Sequence, residues 1–324
     1  MNEERGKNPL FSKETGGSIL FLLLVIIYLI EQFLPFDRIT SPVVSLLITQ
    51  GMILIPALIY TFYIDKNPVE FLRIRKFNIF SAMLIVVMMF TLLPVMALLN
   101  AISMLFSTNV IASSMQEITG GNVWMGLIFM AVLPAFVEEI TFRGAVYRSL
   151  RGARPVRAII LTGFIFGAMH MNFNQFVYAS ALGIVMGFVI EATGSILSTM
   201  ILHFCFNANS VILMSLQSKM MEFLEKAGQQ IPQQAMDASS LSNSDILLTI
   251  AVLIPIAAIG AGFFALLYIL IAKLNGRWNY IRFLFAKSTK PQRDALEKPR
   301  IVNIFTILGF SICFIFCLLR ELFM

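Results

Sequence analysis

Apolar stretches recur along the whole chain, separated by short polar joints, and their lengths set the first conclusion. About twenty consecutive apolar residues form a helix long enough to cross the hydrocarbon core of a bilayer. Nine such segments stand out, at 17–36, 42–63, 79–106, 123–147, 158–171, 176–191, 195–216, 246–273 and 303–322. The pattern predicts an all-α protein, a polytopic transmembrane helical bundle. Segments 158–171 and 176–191 are short for a span and are joined by the polar "NFNQ" (172–175). They form a pair that need not cross fully, so the expectation is eight to nine transmembrane helices. The first run, "SILFLLLVIIYLI" (18–30), is not closed by a small-residue cleavage site and reads as a retained helix, not a signal peptide.

Composition agrees with this reading. The chain is 58% hydrophobic and 13% charged, against about 25% charged in an ordinary soluble domain. The net charge of +6 is read as a topology signal and not as a nucleic-acid surface, so no nucleic-acid partner is expected. The joint 65–78 carries four basic and two acidic residues, and 148–157 carries four arginines and no acid. The stretch 274–302 is also strongly basic, whereas 107–122 has only Glu117 and 217–245 has four acids against Lys219 and Lys226. A cytoplasmic N-terminus places every basic joint inside and both acid-leaning ones outside, as the positive-inside rule asks. The expected protein is thus multi-pass and integral to the cell membrane, with the lipid bilayer as its constant partner. It forms one integral membrane domain (1–324) with an external loop 217–245 and a cytoplasmic loop 274–302. Within 217–245, "KMMEFLEKAGQQ" suggests either an amphipathic surface helix or a plain connection. Cys205, Cys313 and Cys317 lie inside apolar runs and read as small hydrophobes without a redox role.

Against this background a few polar residues stand out. "PAFVEEITFRGAVYR" (134–148) follows directly on "WMGLIFMAVL", and a charge at the centre of a membrane helix costs about 3 kcal/mol on insertion scales. The chain has two histidines, His170 and His203, and each lies in an apolar segment. With a rise of about 1.5 Å per residue, Glu138 lies about 15 Å from Arg148, His203 about 14 Å from Gly194 and His170 about 20 Å from Arg157. These depths let the three meet in one cavity. Glu139 and Arg143 stand at the favourable i,i+4 spacing. Adjacent residues diverge by about 100° around a helix, so Glu138 and Glu139 are not expected to face one small target together. Glu138 is left as the unpaired carboxylate, suited to general acid–base work. His203 and Asn207, four apart, could both donate to a developing oxyanion. The alternative is that the same side chains only join helices through polar pairs. That structural reading fits Glu31, Glu191 and Asn100 best, since none has a partner motif nearby.

The motifs "EEITFR" (138–143), "FGAMH" (166–170) and "HFCFN" (203–207) fit EExxxR, FxxxH and HxxxN in order. They resemble those of the CPBP family of intramembrane proteases, which includes the CAAX prenyl endopeptidases and bacteriocin-processing relatives. The resemblance spans about 123–216 and implies a CAAX-protease-like core and a peptide-bond hydrolase acting on a membrane-associated peptide or protein substrate. It implies that Glu138 with His170 activates a water, that His203 and Asn207 form the oxyanion hole, and that Glu139 and Arg143, with Phe166 of the middle motif, support the site. No cofactor is expected on this reading. The alternative is a zinc ion held by Glu138, His170 and His203, since two histidines and a carboxylate with an open position form a catalytic zinc set. A transporter with a buried polar relay, or an inactive immunity-type relative, is the reading from another class.

Overall fold

A computed structural model describes residues 13–34, 41–107, 122–152, 155–227, 242–286 and 301–323. The described residues are helical, without strands. Eight helices are long and apolar enough to span a membrane: α1 (Lys13–Gln32), α2 (Pro42–Ile64), α3 (Ile79–Ser103), α4 (Val123–Leu150), α6 (Phe173–Thr193), α7 (Ile196–Lys226), α8 (Asn243–Leu274) and α10 (Ile304–Phe323). Shorter helices are α5 (Pro155–Ala168), α9 (Trp278–Phe285) and a single turn at Pro68–Phe71. The all-α polytopic bundle expected from the apolar pattern is therefore present. The midsections of 107–122, 217–245 and 274–302, together with the hydrophilic start of the chain, lie outside the described residues.

Local chemistry sets the helix starts. Asn122, Asn172 and Ser195 cap α4, α6 and α7 through side-chain oxygens that accept from backbone N–H groups two or three residues on. Ser242 and Asp245 form a reciprocal capping box at α8. The polar "NFNQ" joint is thus the cap of α6, and its Asn174 also donates to the Ser103 hydroxyl on α3 at 2.8 Å.

Three sequence-based boundaries need correction. The first short segment is α5, of 14 residues, and it ends at Ala168, two residues before His170. Its partner α6 is 21 residues long and does reach spanning length. The stretch 219–226 is not a separate surface helix but the end of α7.

Helix α4 departs most from a regular helix. π-Helical turns occupy Leu127–Val132 and Glu139–Val146. Pro134 accounts for the first: it has no N–H to give, its ring crowds the carbonyl four residues back, and a widened turn relieves both. The second contains the two inward charges Glu139 and Arg143, and such turns concentrate at functional sites.

Helices α5 and α6 pack more closely than the sequence reading anticipated. Gly163 on α5 faces Gly183 on α6, while Gly167 lies against Phe176 and Ser180 and Gly187 against Ile159; each helix thus carries a GxxxG pair of the kind that lets membrane helices approach backbone to backbone. A Cβ at Gly163 would stand 2.9 Å from the Ile184 amide nitrogen, and one at Gly183 would stand 2.9 Å from the Gly163 Cα. The same missing side chain leaves room for Arg143, whose Nη2 would lie 3.3 Å from a Gly183 Cβ.

The basic joints share one end of the bundle, where they are tied together by Glu191. Its carboxylate is fully buried. It accepts from Arg73 at 2.7 Å, from Arg151 at 2.8 and 3.1 Å, from Tyr147 at 2.8 Å and from Tyr280 at 2.6 Å, with Arg277 at 3.4 Å. Tyr280, outside the spans, has its phenol pushed up to about 12, first by burial and then by the Glu191 charge, so it remains a donor at neutral pH. Glu191 joins helices through polar pairs, as expected of it, and its partners come from positions distant in the chain. Glu31 does fit the simple reading, accepting one bond from Thr49 at 2.7 Å, and Asn100 donates its side-chain amide to the Met104 sulfur at 3.6 Å.

Candidate active site

The candidate site is built on α4, the turn after α5, and α7. Glu139, on the second π turn, is fully buried and its Oε1 accepts from Arg143 Nη1 at 2.9 Å. The i,i+4 pair inferred from spacing is thus in place. The same Oε1 accepts from His203 Nδ1 on α7 at 3.0 Å, a third member that helix spacing did not reveal. Glu139 Oε2 has no hydrogen-bond partner, so a single oxygen carries both contacts.

Glu138 approaches the same imidazole from its other side. Its Oε2 lies 3.9 Å from His203 Nε2, with 17% of the side chain exposed. The two adjacent glutamates do diverge, yet both reach His203, because the ring presents nitrogens in two directions. The expectation that they could not share a target is corrected on this point. At 3.9 Å the Glu138 contact is beyond hydrogen-bond length.

His170 lies in the turn after α5 and not on the helix. Its Nδ1 bonds to the Phe166 carbonyl at 2.8 Å, satisfying one of the carbonyls left open at a helix end. A carbonyl only accepts, so Nδ1 carries the proton and the Nε2 of the neutral ring is an acceptor. Phe166 is the common floor of the site. Its ring meets His170 edge-on at 5.0 Å and His203 at 5.8 Å between centroids, and the Arg143 guanidinium lies 4.2 Å from its centroid. That last contact is a cation–π interaction in a desolvated setting. The middle motif therefore supplies both a ring that seats the two histidines and a carbonyl that fixes the tautomer of one.

Asn207 lies one turn beyond His203 on the same face of α7 and is half-buried. Among the described residues, no three His, Cys, Asp or Glu side chains are disposed to hold a metal ion. Both rings commit Nδ1 to a carbonyl or carboxylate and leave Nε2 over, a pattern that metal-ligating histidines also show, while Glu138 stands 3.9 Å from His203 Nε2. The three cysteines are free, with Cys313 and Cys317 buried.

An ionisable, partly water-accessible cluster enclosed by apolar spans defines a class of membrane protein whose polar site does chemistry or transport within the bilayer. Residues 120–209 match the model of a family described as "Rce1-like: Type II CAAX prenyl endopeptidase Rce1-like". The matched segment holds all three motifs, and the match is consistent with the CPBP resemblance; it supports an intramembrane protease. No significant match was found among curated proteins or among solved structures.

The roles of Glu139 and Arg143 lead to a stability test. Glu139→Gln strands Arg143 and unhooks His203, and removing one partner from a buried ion pair costs about 3–5 kcal/mol. The variant is expected to lose thermal stability in detergent, and Arg143→Ala, which strands Glu139, should match that loss. Combining Glu139→Gln with Arg143→Met should recover part of it. Equal stability of all four proteins by thermal unfolding would show that the pair is not a buried ion pair.

Proposed function

We propose that this protein is an intramembrane endopeptidase that hydrolyses a peptide bond in a membrane-associated or lipid-anchored peptide. The observation that carries the reading is the placement of His203 between Glu139 and Glu138, with His170 on the same Phe166 floor, inside the segment that matches an endopeptidase family. In this reading a water sits against Glu138 and His170 Nε2. Glu138 takes its proton as the water oxygen bonds to the scissile carbonyl carbon. The carbonyl oxygen becomes an oxyanion, and Asn207 and His203 Nε2 donate to it.

The tautomer refines the role of His203. Because Nδ1–H is committed to Glu139, Nε2 can donate only when the ring is an imidazolium. Collapse of the tetrahedral species then breaks the C–N bond, with the proton passing from Glu138 to the departing amine. Glu139 acts through His203 and Arg143 and does not touch the substrate.

A prenylated C-terminal tail is the first substrate to test, since the family description names prenyl endopeptidases. An apolar cavity of about 430 Å³ beside the His170 turn, lined by Gly167, Ala168, Phe173, Phe176 and Phe314 among others, supports an apolar chain lying near the site. No metal or other cofactor is assigned to the reaction. The arginine-bearing end is assigned to the cytoplasm by the positive-inside rule.

Two outcomes are expected. Glu138→Gln keeps size and packing, so peptide hydrolysis should fall by about 100-fold or more without loss of thermal stability, while the wild-type protein remains active in a strong zinc chelator. Activity that survives Glu138→Gln would remove the proposal, and activity abolished by the chelator and restored by zinc would install the metalloprotease alternative. For orientation, a cysteine placed at the exposed Glu225 in a cysteine-free background should react with an impermeant thiol reagent in intact cells. Reaction only after permeabilisation would invert the topology.

A further inference from the structure

At the end of the bundle away from the glutamate–histidine site, the basic joints enclose a cavity of about 470 Å³ whose lining includes Arg73, Arg75, Arg148, Arg151, Arg277 and Glu70. Glu191 lies buried among three of these arginines. Five cations against two carboxylates leave an excess of three positive charges around one small space. Arg73, Arg151 and Arg277 are committed to Glu191, but among the described ion pairs Arg75 and Arg148 have no carboxylate. Arg148 Nε is buried without a hydrogen-bond partner, and its guanidinium lies 5.9 Å from the Phe71 ring centroid. Arg75 is held in place by donating Nε to the Gly194 carbonyl at 2.6 Å. Gly194 has a φ of +77°, and a Cβ there would stand 2.6 Å from Arg75 Nη2, so a glycine is required for the arginine to sit where it does.

Like charges gathered around one cavity, with Arg75 exposed and Arg148, Arg151 and Arg277 half-buried, call for an anion. The guanidinium fork suits phosphate, offering two parallel donors to two oxygens. Basic pockets between membrane helices at the headgroup level are where phosphate headgroups bind. We propose that this cavity binds a phosphate-bearing anion, with Arg148 and Arg75 as its principal donors and the Glu191 cluster as the rigid wall behind them. Glu70, exposed and accepting from Asn67 at 3.3 Å, stands at the rim and disfavours a second anion. The source is either a phospholipid headgroup or a soluble phosphate monoester. The assignment does not depend on the protease reading.

The test uses the full chain purified in non-ionic detergent and stripped of lipid. It compares inorganic phosphate and glycerol 3-phosphate with mixed micelles of phosphatidylglycerol, with phosphatidylcholine micelles as the reference. Affinity is read by calorimetry and by thermal shift. Wild-type protein is expected to bind at least one of the phosphate probes. Arg75→Gln with Arg148→Gln should weaken that binding by about tenfold or more. Lys66→Gln with Lys273→Gln, which removes the same charge outside the cavity lining, should leave it unchanged. Arg148→Lys retains the charge but not the fork, so it should weaken binding severalfold even if the double arginine variant fails to fold. Binding of phosphatidylglycerol alone identifies a headgroup site, and binding of the soluble probes alone identifies a phosphate monoester site. Absence of binding by any probe, or affinity unchanged in Arg148→Lys and in Arg75→Gln, overturns the proposal.

Discussion

A carboxylate inside a membrane bundle has no bulk water to solvate it, so the protein must bring it cations and donors of its own. This constraint organises the structure at two places. Glu139 is fully buried and met by Arg143 and His203, which joins α4 to α7. Glu191 is fully buried and met by Arg73, Arg151 and Arg277 with two tyrosines, which joins α6 to α4 and to the connections before α3 and after α8. Taking either carboxylate away would leave buried cations uncompensated, a worse state than an apolar replacement of the whole set. Glu138 differs from both. It is partly exposed and stands 3.9 Å from its nearest histidine nitrogen. A carboxylate without a cation of its own, next to one held by an arginine and a histidine N–H, is the arrangement expected of a group kept free to react.

The close packing of α5 and α6 serves the same end. Glycines at 163 and 183 bring the backbones together and leave the space that the Arg143 guanidinium occupies. Arg143 then lies flat against Phe166, whose ring also seats both histidines. The helix pair, the ion pair and the candidate catalytic side chains are thus one packed unit, and a change of shape at Gly183 would be felt at His203 through Arg143 and Glu139.

Much of this was legible in the sequence because it depends on local spacing. Apolar runs gave the spans, i,i+4 spacing gave Glu139 with Arg143, and three motifs in order pointed to the segment that the family match covers. What escaped depends on contacts distant in the chain. The partners of Glu191 come from residues 73, 147, 151, 277 and 280, and no local pattern links those positions. His203 reaches Glu139 across 64 residues. The position of His170 beyond α5 was missed because an apolar run does not reveal where a helix stops, and the π turns of α4 were missed because periodicity was read with α-helical geometry. The glycine spacing that lets α5 and α6 approach is itself visible in the sequence, as "GFIFG" and "GIVMG".

The central claim is that Glu139 fixes the tautomer of His203 and thereby turns Nε2 toward Glu138. The chain contains only two histidines, so nitrogen-15 NMR of histidine-labelled protein in detergent resolves the matter with two sets of signals. The account predicts protonated Nδ1 on both rings in the wild-type protein. It further predicts that Glu139→Gln shifts the His203 nitrogens alone, while Glu138→Gln leaves both Nδ1 sites protonated. A His203 signal showing protonation at Nε2 only, or one indifferent to Glu139→Gln, would contradict it.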